Sequence, residues 1–385
     1  MFYVLYQFAP LIIHNFFYYT LALIAGIIFA HTSNHFYSIP ILIFGIIFLV
    51  LYQKCYKVDN LKLLLVLPLF ILGSLLYQRQ KNLYNNFFTQ VNTQTPIEIR
   101  GLIQSIDYLQ DSRMRYRILI NLNYAKAVAE TNWKKNNSSI ALYTQKVSDF
   151  LVGDYIEVRN LAMKTNKNFS FTQYLIKEKI AATGFLDKSV QHSLINRPTI
   201  SFARTIFYFR KSLFNTLQRS INYQTFALFS SIFLGNRFSV KKQMENTKEY
   251  FKVWGISHYL ARSGLHLVIF IMIWHFLFGL MPIFSYFKKQ LCLIVFILSY
   301  ALLSWSSISF ERALYTFLFY KLCLLSSRPY HYVHIILLVT FITLCINPFQ
   351  LFFLDFQLSF SLTFALAWFS HIQAHKTRLS QQSIV

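Results

Sequence analysis

Apolar residues gather in blocks close to the length that carries a helix across a bilayer, about 20 residues. They fall at 11–30, 38–53, 61–77, 265–283, 291–308, 313–327, 333–347 and 351–369. The first block has no basic leader and no Ala-x-Ala-like cleavage site, so it reads as a retained span. Between the third and fourth blocks the pattern changes from runs to alternation. Residues 97–106, 115–125, 139–145 and 154–163 are short β-rich stretches parted by turn-formers such as Val152-Gly153-Asp154. They predict a small OB-like barrel, followed by a helix over 171–184 that ends at Gly184 as its C-cap. The expected fold is a polytopic α-helical membrane protein with an inserted external all-β domain. Its divisions are N-terminal transmembrane helices at 1–80, the OB-like domain at 81–200, an amphipathic or re-entrant segment and loop at 201–252, and a second membrane block at 253–385.

Short loops set the sidedness, because cytoplasmic loops carry the excess of Lys and Arg. Lys54, Lys57 and Lys62 join the second and third blocks, whereas the loop after the first carries His31 and His35 and no Lys or Arg. That places the β domain outside the cytoplasm and Lys288, Lys289, Arg328, Lys376 and Arg378 inside. The count leaves Phe226–Leu234 unable to cross once, so it is expected to be re-entrant, and 204–221 to lie on the membrane surface.

Composition narrows the chemistry. At 55% hydrophobic and 18% aromatic, the 385 residues are too apolar for a single soluble core. The formal charge of +23, from 37 basic and 14 acidic residues, suits an anionic partner, either nucleic acid or the phospholipid surface. Cys55, Cys292, Cys323 and Cys345 show no paired metal-type spacing, and the soluble region has no Cys to form a disulfide. No Gly-Lys pair exists to build a phosphate-cradling ATP loop, so energy is expected from elsewhere. Ser263 stands three residues before His266 with no third orienting group. No catalytic residue, metal or cofactor is assigned.

Three polar islands interrupt the second membrane block. The first is Gly255–His266, where His258, Arg262 and His266 are spaced to share one helix face, with Ser263 beside them and Gly264 removing bulk. An Arg at the centre of a lone span costs about 2.5 to 3.5 kcal/mol, so a polar path beside it is expected. The second is Ser304–Arg312, which reads either as an ordinary interspan loop or as a place where Ser309 and Arg312 line that path. The third is Asp355–Phe360, carrying Asp355, Gln357 and Ser359. Asp355 reads as a helix N-terminal acid or as the answer to Arg262 or Arg312 across a bundle.

Together these stretches resemble the ComEC competence protein family, whose channel domain has three signatures in this order. Gly255, His258, Leu260, Ala261, Ser263, Gly264, Leu265 and His266 match the first; Ser309, Arg312 and Ala313 the second; Asn347, Pro348 and Phe356 to Phe360 the third. The OB-like region with Val152-Gly153-Asp154 and Ala182-Thr183-Gly184 is similar to the family's front half. The resemblance implies an inner-membrane, multi-pass channel that passes single-stranded DNA into the cytoplasm during natural transformation. Lys241, Lys242, Lys248 and Lys252 would collect the strand on the outer loop. Arg262 stands where the family usually has Ile. The chain stops at Val385 without the family's metallo-β-lactamase-like domain, which implies a separate nuclease and ATPase and leaves open a homo-oligomer, a split channel or a truncated remnant. A transporter of another anionic substrate is the rival class.

Overall fold

The computed structural model describes residues 15–32, 65–90, 95–109, 116–145, 150–164, 168–186, 190–198, 201–235, 249–255, 264–280, 285–305, 307–326 and 332–382. The block expected at 38–53 and the lysines at 54, 57 and 62 lie outside them. In chain order the helices α1 (Asn15–Thr32) and α2 (Val66–Gln90) precede strands β1 (Ile97–Tyr108), β2 (Tyr116–Ala127), β3 (Lys134–Lys135), β4 (Ser139–Thr144), β5 (Tyr155–Leu161) and β6 (Met163–Lys164). Then come α3 (Phe169–Lys177), β7 (Ile180–Leu186), β8 (Gln191–Asn196), α4 (Phe202–Ser220) and α5 (Tyr223–Phe229), which runs into a π turn, Ser230–Leu234. The rest is helical: α6 (Gly264–Gly279), α7 (Tyr286–Leu303), α8 (Ile308–Leu325), α9 (Tyr332–Ile346), a 3-10 turn (Pro348–Phe352) and α10 (Leu354–Gln382). The chain divides into two compact units, one from 1–79, 279–291 and 308–385, the other from 80–278 and 292–307.

The first unit is a helix bundle built around α9, which packs on α1, α8 and α10. Residues such as Val333, Ile336, Val339 and Leu344 bury α9 on nearly every side, as an all-apolar helix requires. Its two threonines keep their hydroxyls satisfied there by donating back along the helix, Thr340 to the Ile336 carbonyl at 2.8 Å and Thr343 to Val339 at 2.7 Å. On α10, Leu354, Leu358, Leu362 and Leu366 repeat every four residues and all stay exposed. One helix face is therefore apolar with no protein covering it. Helices α1 and α2 touch backbone to backbone: a Cβ on Gly26 would fall 2.0 Å from the Phe70 carbonyl oxygen, and one on Gly73 2.3 Å from that of Leu23. Further along, His31 Nδ1 and the Tyr77 hydroxyl are 2.8 Å apart, so the two helices run the same way. Phe349 stacks on Tyr77 at 4.5 Å and Phe352 on His31 at 4.1 Å, bringing the 3-10 turn to that end.

The second unit holds a sheet with the order β6-β7-β4-β2-β1-β5-β8, and β3 pairs with β2. Every pair is antiparallel except β4 with β7. Only Ala162 separates β5 from β6, and β5 lies on β1 while β6 lies on β7, so strand pairing returns on itself. The interior is filled by alternate residues, among them Ile99, Ile120, Ile140, Leu142 and Val158, with Phe87 of α2 buried against them. The sheet is therefore mixed, with a helix before its parallel strand.

The helix expected over 171–184 is corrected. Helix α3 stops at Lys177, Lys179 takes a left-handed backbone with φ 58°, and Ile180–Leu186 becomes a strand beside β4. Gly184 sits inside that strand and caps nothing. A Cβ there would meet Leu142, Leu161 and Met163 side-chain atoms at 3.1 to 3.3 Å, so close packing explains the glycine.

Among the described helices, α7 alone is long and apolar enough to cross a membrane; 17–32, 223–234, 264–279 and 332–346 are shorter apolar helices.

Candidate functional site

Residues 256–263 and 236–248 lie outside the described residues, and with them His258, Arg262, Ser263, Lys241, Lys242 and Lys248. Lys252 is exposed on a short helical piece closed by Gly255, whose φ of 69° suits glycine. Gly264 opens α6 and is buried. His266, two residues on, is buried too, its ring edge-on to Phe233 with centroids 5.9 Å apart.

The second and third islands meet. Ser309 and Arg312 lie on the first turns of α8 and not in a loop, because the helix starts at Ile308. Ser309 Oγ is 3.1 Å from Ser359 Oγ on α10. Arg312 Nη1 donates to the Ser359 carbonyl, and its guanidinium carbon lies 5.8 Å from the Phe360 ring centroid. Thr316 and Thr363 back-bond to the carbonyls of Arg312 and Ser359 at 2.8 Å each, fixing both backbones around the pair. Arg312 Nε is buried with no protein partner. Among the described residues no carboxylate lies within ion-pair distance of Arg312. A guanidinium presents five donors in a planar fork that matches carboxylate or phosphate oxygens. Here one donor is committed to a neutral carbonyl and one is unspent, which fits an arriving anion.

Residues 232–385 match the family model described as Competence protein. The matched stretch contains all three polar islands, and it supports a role in DNA uptake for competence and an association with the membrane. No curated protein and no solved structure matches the chain. Within the Competence match, Asp355 and Gln357 take local roles. Asp355 is exposed in the first turn of α10 and accepts from the Phe356 amide at 3.1 Å, while Gln357 Nε2 donates to the Leu351 carbonyl at 2.9 Å and ties down the 3-10 turn.

Three features had gone unremarked in the sequence. Inside the Competence match, Lys321 of α8 is 5% exposed and donates to Gln290 Oε1 of α7 at 2.5 Å. Outside it, the Asp154 carboxylate is fully buried and holds two arginines: Arg204 Nη2 donates to Oδ1 at 2.6 Å and Arg197 Nη2 to Oδ2 at 2.9 Å. Arg204 also donates to the Val152 and Pro198 carbonyls, and Gly153 clears room for the Ser201 side chain that caps α4. Val152-Gly153-Asp154 therefore latches the sheet to α4. From the middle of α4, Arg210 Nη2 donates to the Leu302 carbonyl at 2.6 Å and its guanidinium sits 4.9 Å from the Trp305 ring centroid. Only the turn-forming character of the Val-Gly-Asp triplet signalled any of this.

Proposed function

We propose that the chain is a multi-pass inner-membrane channel component that passes single-stranded DNA into the cytoplasm during natural transformation, with its OB-like domain outside. The observation that carries this reading is Arg312, a cation at a helix–helix seam with a buried, unspent Nε and no carboxylate partner among the described residues, inside the Competence match. Phosphodiesters are the anions that a DNA strand would deliver to it, and such contacts are blind to sequence. Ser309 and Ser359 line the same place, and His258, Arg262, Ser263, Gly264 and His266 complete the path in this reading. Lys241, Lys242, Lys248 and Lys252 gather the strand.

The multi-pass reading is supported by the uncovered leucine row on α10, by α7 and by the shorter apolar helices. The OB-like reading is supported by pairing that runs from β1 round to β5 and by the parallel β4–β7 pair.

The test is labelled-DNA entry in a channel-deleted competent bacterium carrying this chain, with membrane insertion checked. Arg312→Ala is expected to lower protected, internalised DNA about ten-fold or more, one lost charged hydrogen bond being of that order, and to leave surface-bound DNA unchanged. Equal loss of both pools, or no loss, would overturn the assignment.

A further inference from the structure

Among the described residues the guanidinium nitrogens buried without a hydrogen-bond partner are Arg312 Nε and Arg210 Nε. Arg210 lies outside the Competence match, on α4 of the sheet unit. Its Nη2 donates to the Leu302 carbonyl in the last turn of α7, and its guanidinium carbon leans on the Trp305 ring. A carbonyl in the last turn of a helix lacks an intrahelical donor, so one N–H answers it. Contact with Trp305 occupies the flat face of the guanidinium and leaves its in-plane N–H groups free to donate. Neither Nε nor Nη1 finds an acceptor among the described residues. Asp107 is near enough for its charge to reach Arg210, but Arg117 already holds that carboxylate at 2.9 Å.

The surroundings decide which acceptor fits. Helix α7 is long and apolar enough to cross a membrane, and only 17% of it is buried inside the protein. Its 18 residues rise about 27 Å, so Leu302 stands near the level where acyl chains give way to headgroups. Trp305 follows at the depth where Trp and Tyr gather. Helix α4 suits the same depth. Phe214 and Leu217 pack it against Phe226, and Arg210 shares their side of the helix. Phe202 and Phe209, seven residues apart, share a flank and are 75% and 58% exposed, while Lys211 is exposed on the opposite flank. Such a helix lies with its phenyl rings at the acyl boundary and its cations among the headgroups. It carries Arg204, Arg210, Lys211 and Arg219 and no acid. Asp154 takes up Arg204, and no carboxylate pairs with the other three among the described residues. An anionic phospholipid supplies both missing parts, a phosphate at headgroup depth and acyl chains beside the exposed Leu302.

We propose that Arg210 is the centre of a binding site for an anionic phospholipid, whose phosphate accepts from the guanidinium edge and whose acyl chains lie along α7 below Leu302. In the sidedness expected from the charge rule this lipid belongs to the outer leaflet. The site rests on the membrane reading of the chain and needs no DNA.

The test reads the thermal midpoint of the full chain in dodecyl maltoside against added dioctanoyl phosphatidylglycerol, dioctanoylglycerol, inorganic phosphate and oligothymidine. Phosphatidylglycerol is expected to raise the wild-type midpoint saturably, as a ligand of the folded state does. Arg210→Gln should raise the half-saturating phosphatidylglycerol concentration about ten-fold or more, the order of one lost charged hydrogen bond, and leave any oligothymidine response as in wild type. The lipid-free midpoint reports the tie between α4 and α7 separately. A fall there with an unchanged lipid response means that Arg210 only joins the two helices, and overturns the site. So does an equal response to dioctanoylglycerol, which assigns the effect to the chains, or to inorganic phosphate, which assigns it to a free anion. An oligothymidine response lost in Arg210→Gln gives the guanidinium to the strand and overturns it as well. Should the variant not fold, phosphatidylglycerol with a photoreactive headgroup decides on the wild-type chain: crosslinks within 207–214 or 300–305 support the site, and their absence there overturns it. If the site falls while Arg312→Ala still blocks entry, the conduit stands without it. Lipid binding lost at Arg210 with entry indifferent to Arg312 keeps the site and removes the path.

Discussion

At the scale of single residues, burial and partner decide what each charge does. Asp154 is the clearest case: with no exposed surface it meets two guanidiniums and the Leu151 amide, at 2.9 Å. Removing one partner of a buried ion pair strands the other, at about 3 to 5 kcal/mol. Asp154→Asn keeps the shape and removes the charge, so denaturant unfolding of the purified chain should report a loss in that range. A loss below about 1 kcal/mol, the scale of an exposed pair, would mean that the latch is incidental. Arg312 presents the opposite case. Its neighbours are a carbonyl, a serine hydroxyl pair and a ring, none of which cancels its charge. Ser309 and Arg312 were legible from the sequence as a polar break, but their pairing with Ser359, 47 residues beyond Arg312, was not. Only the crossing of α8 and α10 brings them together. Asp355 reads from the sequence either as a helix N-terminal acid or as the answer to Arg262 or Arg312, and the helix start puts it at the exposed first turn.

Elements explain why some of the fold could be read and some could not. Alternation along 97–106 and 115–125 carries over directly, since a strand with one buried face must alternate. The run 171–184 misleads because apolar residues continue past the true helix end, and neither Lys179 nor Ile180 is a breaker. What ends α3 is a left-handed residue and the offer of pairing from β4, a tertiary term absent from any local window. Strands β3, β6 and β8 are two to six residues long and carry no periodic signal of their own. Glycine carries a sharper message at the contact of α1 and α2. The two backbones approach so closely that no side chain fits at Gly26 or Gly73, the small-residue contact by which helices pair in lipid. Gly26→Ala must push the helices apart and should lower stability by about 1 to 3 kcal/mol, as overpacking does. The thermal midpoint of the detergent-solubilised chain reads this, with Gly279→Ala as the control, since nothing lies within 4 Å of a Cβ there. Equal shifts for both would show that the contact is not tight.

For the whole molecule, sidedness is the property that joins charge to packing. The rule of basic cytoplasmic loops puts the ends of the first and third blocks and the Asn347–Pro348 turn outside. The packing of the bundle brings these same three places together, in the rings of His31, Tyr77, Phe349 and Phe352. The rule puts Lys288, Lys289 and Arg328 inside. Correspondingly, Gln290 lies four residues into α7 and meets Lys321, four residues before the end of α8. These contacts would be the same whichever way the protein faced, so the sidedness itself rests on the charge rule alone and calls for its own test. In a chain with Cys55, Cys292, Cys323 and Cys345 replaced by Ser, one new cysteine is placed at a time, at exposed Ser193 of β8 or at exposed Ser285 ahead of α7. A membrane-impermeant maleimide should label Ser193→Cys in intact spheroplasts and Ser285→Cys only after the membrane is opened. The reverse pattern would turn the protein over in the membrane and put the β domain on the cytoplasmic side. Labelling of both in intact cells would place the β domain and the start of α7 on one side, and an even number of crossings would then have to separate them.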